Sequence, residues 1–304
     1  MIGSVMCMTA SVSLAACGSG TNPFATGTDT DGSGGASVVP ETLAGNLKSI
    51  NYNATAKTLT AEIYALDSTP IQVVYDRDAA RDIGSYEAYS IQEDGLDRFF
   101  VAMVGESHDG SVQAGFVGDG GQFNRVLQGG YYTRVGSFDA PNISTGPAAG
   151  QVSYAGDYAG ITNIQSTPNP PAGVDPSLLP GTPVLVSGQV FMNANFADMA
   201  VNGGIYDRQI LLTTPVDVED LALIVTDISS DGSFFGDVEV TGVVDTDIGD
   251  YGGVFGGTDS AAVGGVISIK DYTDQFEHET EVGFFVLTQC GLANDAAICS
   301  SAAP

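Results

Sequence analysis

The chain has 304 residues, with 37 acidic against 9 basic side chains and a formal charge of −28. That excess repels nucleic-acid phosphates and anionic lipid surfaces, so neither nucleic-acid binding nor broad electrostatic docking on a membrane is expected. At 43% hydrophobic residues it is not an acidic disordered polymer, and 40 glycines with no Trp favour many short strands and turns.

Residues 1–16 are uncharged and mostly apolar or small, and they end in Leu14-Ala15-Ala16 followed by Cys17. The apolar core, residues 5–14, falls short of the ~20 residues a spanning helix needs. Small residues before a cleavage point suit a signal peptidase, and a cysteine directly after them forms a lipobox. Cys17 is therefore expected to carry a diacylglycerol anchor of palmitate-type chains and to become the mature N-terminus. The Lys or Arg usual at the front of a signal is missing, which places the expected start upstream of Met1. Gly18, rather than Asp, follows the lipidated cysteine, which directs the expectation to the cell outer membrane.

Residues 17–44 read as a tether rich in Gly, Ser, Thr and Asp. Asp29, Asp31 and Gly32 resemble the opening of a calcium loop, but the twelfth position is Pro40 instead of Glu, so the segment reads as linker.

Strand-like runs follow at 48–53, 59–66, 71–76, 85–92, 98–104, 112–117 and 130–134, several alternating apolar and polar residues. Turn pairs such as Asp94-Gly95 and Asp109-Gly110 separate them. They predict a β-rich unit over 45–141. A second linker covers 142–150, and further runs lie at 151–158, 183–191, 202–210, 222–226, 232–240, 253–255, 262–269 and 282–288. Eight strands in sequence can close on themselves and abolish exposed edges. No pattern long enough for a helix stands out. The expected fold is all-β: an eight-stranded antiparallel barrel over 148–290, preceded by a smaller β-rich unit and followed by a tail, 291–304.

Four stretches in the second half carry a family resemblance. They are Gly150–Gly160 (with Tyr154, Gly156 and Tyr158), Phe191–Tyr206, Phe234-Phe235-Gly236, and the run from Gly252 through Gly253, Phe255, Gly256, Gly264 and Gly265. Together they resemble the barrel domain of transferrin-binding-protein-B-like solute-binding lipoproteins, the family that includes factor-H-binding protein. The resemblance implies a handle-like domain before the barrel, and a protein ligand, often in iron or haem acquisition. Departures stand at Gly256-Gly257, where a Tyr-Gly or Phe-Gly pair is usual, and at Ala262, near a usual Glu. Read as residues alone, Gly253, Phe255, Gly256, Gly264 and Gly265 are fold determinants, because a small barrel needs small residues beside large ones.

Cys290 and Cys299 are expected to form a disulfide in an oxidising envelope. His108 and His278 sit in polar segments and read as solvated, as does the acidic run 245–250. No metal site is expected, nor is any cofactor; haem has no support in the residues. No Gly-x-Ser-x-Gly elbow, HExxH pair or phosphate loop occurs, so an enzyme is not expected. The candidate binding loop is 162–181, with Pro170, Leu178 and Leu179, because exposed leucines are costly without a partner. A second candidate is the Gly-rich segment 107–121. The reading is an outer-membrane lipoprotein that binds a host or environmental protein, facing either side of that membrane. The alternative is a structural or adhesive envelope lipoprotein.

Overall fold

The computed structural model describes residues 39–64, 69–141, 150–164, 173, 175 and 178–300. The signal segment, Cys17 and most of the expected tether lie outside the described residues, as do Pro170 and most of the second linker.

The first seven strands form one antiparallel sheet in chain order: β1 (Leu47–Asn53), β2 (Thr58–Tyr64), β3 (Pro70–Arg77), β4 (Glu87–Ile91), β5 (Phe100–Glu106), β6 (Val112–Asp119) and β7 (Gln128–Arg134). The sheet curls so that Leu59, Ala61, Ile63, Val73 and Tyr75 of β2 and β3 pack against Phe100, Ala102, Val104, Val117 and Tyr131 of β5–β7. At one end it nearly closes, where the Asn46 N–H donates to the Gln128 carbonyl at 2.8 Å. β5 is buried along all but its last residue and β6 along nearly its whole length. A strand covered on both faces reads as a continuous apolar run, as Phe100-Val-Ala-Met-Val104 does.

The second half closes fully. β8 (Gln151–Thr162), β9 (Val184–Asn195), β10 (Ala200–Ile210), β12 (Leu221–Asp227), β13 (Ser233–Val240), β14 (Asp247–Gly256), β15 (Ala262–Lys270) and β16 (Thr280–Gln289) form an eight-stranded antiparallel barrel. Closure comes from β9, which pairs with β8 on one side and β10 on the other. A two-residue strand, β11 (Val216–Asp217), hangs on the end of β10. The barrel interior is packed with side chains. Phe255 sits at one end, its ring 5.4 Å from Tyr154, 5.0 Å from Phe196 and 5.3 Å from Phe234. At the other end Arg208 and Glu281, both fully buried, pair at 2.8 Å. Tyr158 donates to Glu281 at 2.5 Å, and Tyr272 lies under the guanidinium at 4.9 Å. Burial pushes the Tyr158 hydroxyl well above its ordinary pKa, so it stays a donor to the carboxylate.

The glycines of β14 and β15 serve two faces, as strand alternation requires. A Cβ on Gly253 would lie 2.4 Å from the Gly264 carbonyl oxygen and 2.6 Å from the Phe234 ring, and one on Gly265 would lie 2.5 Å from Phe285, inside the barrel. A Cβ on Gly256 or Gly264 would strike Val112 of β6, at 2.5 and 2.3 Å, on the outside. There the first sheet lies directly on the barrel wall. Phe116 and Tyr86 pack on Phe284 in a shared core with Met103, Ala114, Ile161, Val254 and Val266. The Tyr86 hydroxyl enters the barrel ladder itself, donating to Asp157 O at 2.6 Å and accepting from Val286 N–H at 2.9 Å. These are facing residues of β8 and β16, in the interval of that ladder between the pairs Phe285–Tyr158 and Thr288–Ala155.

Several expectations change. Residues 245–250 were expected as a solvated loop, but β14 begins at Asp247. There the carboxylate caps the Gly249 N–H at 2.8 Å and a bulge at Val238/Glu239 absorbs the polar start. Most of segment 107–121 is strand β6, leaving only a tight turn before it, in which Asp109 accepts from Ser107 and Ser111. Within the stretch expected as tether, a helical turn, α1 (Glu41–Ala44), buries Leu43 and Ala44 in the seam, and Val39 beside them is buried too. Cys290 and Cys299 form a disulfide, their Cα atoms 5.4 Å apart, and the Cys290 N–H donates to Ser153 of β8.

Two substitutions test this packing. Tyr86→Phe strands a buried carbonyl and N–H, and is expected to lower the unfolding free energy by ~1–3 kcal/mol in a denaturant titration. Arg208→Met leaves Glu281 buried without its counter-charge and should cost ~3–5 kcal/mol. An unchanged midpoint for either contradicts its assigned role.

Candidate functional site

With the barrel interior filled, the clefts and exposed apolar groups of the described residues lie on the outer surface. The end of the molecule that carries the Arg208–Glu281 pair also carries the β6–β7 turn and the segment before β9, and the two meet there. Gly181 N–H donates to Gly121 O at 2.8 Å. Gln122 ties three segments together, its Nε2 donating to the carbonyls of Leu96 and Leu178, each at 3.1 Å.

Beneath Gln122 lies an ion pair between Arg98 and the fully buried Asp119. Arg98 also donates to Gln122 O at 2.7 Å and to Arg125 O at 3.2 Å, while Asp119 accepts the N–H groups of Gly121 and Leu127. Burial pushes the Asp119 carboxyl above its ordinary value, against the pull of the Leu127 N–H and the Arg98 guanidinium. Every donor and acceptor named here points inward and holds the turn in place.

Among the side chains held outward here are three large apolar ones, beside the exposed Asn124 and Arg125. Leu96 is 69% exposed, Leu178 53% and Phe123 51%. Phe123 and Asn124 form the centre of a two-residue hairpin closed by reciprocal Gln122–Arg125 bonds of 2.9 and 3.1 Å. Both central residues have φ of +56°. That turn type favours Asn-Gly, and a bulky aromatic residue there is strained. Strain of this kind persists where the surrounding structure over-determines it, and it clusters at binding sites.

Beside this crest the first sheet opens. β3 pairs with β4 only at Asp76–Ser90 and Arg77–Tyr89. Beyond that point the strands diverge, leaving a cleft of about 560 Å³ between the β3 edge (Ile71, Gln72, Val73, Val74) and Ile91, Glu93, Asp97, Arg98 and Phe100. Arg98 joins cleft and crest.

Of the residues predicted to bind, Leu178 lies on the crest and is exposed, and Leu179 beside it is half-buried. Leu96, Phe123 and the cleft were missed. Gln-Phe-Asn-Arg offered one signal, an aromatic residue between polar ones in a segment too short for anything but a turn. His108 and His278 are exposed and far from convergent groups, His278 standing 4.0 Å from Asp271. Among the described residues no three His, Cys, Asp or Glu side chains are placed to hold a metal, and no helix is long and apolar enough to cross a membrane. The family-motif residues Gly253, Phe255, Gly256, Gly264 and Gly265 are buried in the barrel and its seam.

No protein-family model matches the chain, and no curated protein matches it. Among solved structures it is similar to a double mutant of transferrin-binding protein B from Haemophilus parasuis Hp5, at 13% identity and a TM-score of 0.39 over 79% of this chain and 52% of that one. It is also similar to isotype 1 transferrin-binding protein B from serogroup B Neisseria meningitidis, at 12% identity and 0.35 over 80% and 52%. The chain spans about half the length of these proteins.

Phe123→Asn replaces a strained residue with one that tolerates the left-handed region. It is expected to leave stability unchanged or raise it by ~1 kcal/mol, read from the thermal midpoint. A loss of 2 kcal/mol or more, on the order of a buried side chain, means that Phe123 is a core residue and not a presented one.

Proposed function

We propose that this chain is an outer-membrane lipoprotein, anchored through Cys17, that binds a protein ligand at the crest formed by Leu96, Phe123 and Leu178. The observation that carries the reading is the contrast between the two ends of the chemistry. The barrel interior is filled by large side chains and a buried ion pair, which argues against a haem or another small ligand there. Outside, three large apolar side chains are held in solvent by polar groups that face the other way.

Exposed apolar groups gathered at one place mark interaction surfaces, and aromatic anchors dominate binding energy where they are presented rigidly. Loops on a rigid scaffold are where such groups gather. The expected lipid anchor and tether would hold this end free to meet a partner. The chain acts as a binding module and not as an enzyme. Iron acquisition, implied by the motif resemblance, is one setting for such a partner.

The test is a pull-down with the full chain and with the Leu96→Asp/Phe123→Asp variant, from extracts and medium of iron-replete and iron-starved cells, with haem titrated separately. The expected result is a protein retained by the full chain and reduced at least tenfold by the variant. Recovery enriched under iron starvation supports the acquisition setting. Equal retention by the variant, or saturable haem binding without a protein, overturns the crest as the ligand site.

A further inference from the structure

The crest does not account for the cleft beside it. β3 reads Pro-Ile-Gln-Val-Val-Tyr-Asp-Arg, high in strand propensity and without a lysine or an internal proline. One edge pairs with β2 from Pro70 to Tyr75. The other edge has a described strand partner only at Asp76 and Arg77. From Ile71 to Val74 it faces the 560 Å³ cleft. Free edges are normally shielded by charges, prolines, bulges or a covering segment. This one keeps Val74 at 63% and Ile71 at 38% exposed.

We propose that the cleft between β3 and the β4–β5 turn takes an extended segment of a partner protein as an added strand, one that alternates apolar and basic residues. This rests on the reading of the tip as a protein-binding surface. Adding a strand to an open edge supplies main-chain hydrogen bonds for affinity and side-chain pockets for specificity. Four edge residues at about 3.3 Å each offer roughly 13 Å of ladder, and the cleft volume is within the ~300–1,000 Å³ of ligand clefts.

The alternation follows from the walls. Val73, Ile91 and Phe100 line the inner side and accept apolar side chains. Glu93 and Asp97 line the mouth, and Asp94 is exposed in the same turn. The one cation in the lining, Arg98, is already paired with Asp119. The mouth therefore presents uncompensated negative charge on a chain of net charge −28, which favours a cationic guest and repels a second copy of the chain.

The probe is a synthetic Val-Lys-Val-Lys-Val-Lys-Val peptide, measured by fluorescence anisotropy against the full chain. Controls are the same peptide N-methylated at alternate amides, the Val/Glu version, and the Val74→Lys variant, which alters an exposed residue. The expected result is saturable binding that N-methylation, Glu replacement or Val74→Lys each weakens at least tenfold, with affinity falling as salt rises. Binding insensitive to N-methylation and to Val74→Lys, or none at all, overturns strand addition. If a partner is still captured through Leu96 and Phe123, the crest reading stands without it. Loss of both capture and peptide binding removes the two together.

Discussion

One hydroxyl joins the first sheet to the backbone ladder of the barrel, within a seam that other hydrogen bonds and a shared core also hold. Tyr86 belongs to the first sheet, yet its oxygen stands between facing backbone groups of β8 and β16, where the Asp157 carbonyl and the Val286 N–H meet it instead of each other. In a buried wall those groups need partners, so the barrel ladder is completed only when the first sheet is docked. The docking in turn needs Gly256 and Gly264, because any side chain there would meet Val112. Sheet and barrel are thereby fixed relative to each other, and the turn at 120–125 is brought against Gly181. The crest exists only because this seam does: Leu96 and Phe123 come from the first sheet, Leu178 from the barrel side.

Closure has a second consequence. Eight strands enclose a space that side chains fill, and here aromatic rings fill one end while the Arg208–Glu281 pair with Tyr158 and Tyr272 fills the other. A buried pair of this kind is weak evidence for stability, since apolar residues of similar size often do as well. Its carboxylate is taken up by Tyr158 and Arg208, so both of its oxygens are engaged within the barrel. On the proposed function, recognition is moved outward, to places where strands end or part. Those places are the strained Phe123 hairpin and the gap where β3 leaves β4.

Much of the fold was legible in the sequence, because its strands obey simple patterns. Alternation in Leu59-Thr-Ala-Glu-Ile-Tyr and the apolar run of β5 both located strands that the structure shows. The failures came where local polarity misled. Asp247 and Asp250 suggested a loop, but a side-chain cap and a bulge let that stretch pair with β13. Val39, Leu43 and Ala44 looked like the end of a tether, since their burial depends on a seam that no local pattern reports. The site was less legible for the same reason. Leu178 could be singled out as an unexplained apolar residue in a loop. Its meeting with Leu96 and Phe123 across Gln122 is a tertiary event between residues far apart in the chain.

The central claim is that this protein recognises its partner on the outside, at the tip, with the barrel as an inert support. The most direct measurement is hydrogen–deuterium exchange of the full chain, free and bound to whatever protein it captures. The account predicts new protection at 71–74, 91–98, 120–125 and 178–181, with the interior-facing strands β12–β15 unchanged. Protection confined to the barrel strands, or to the opposite end around Phe196 and Phe255, would contradict it.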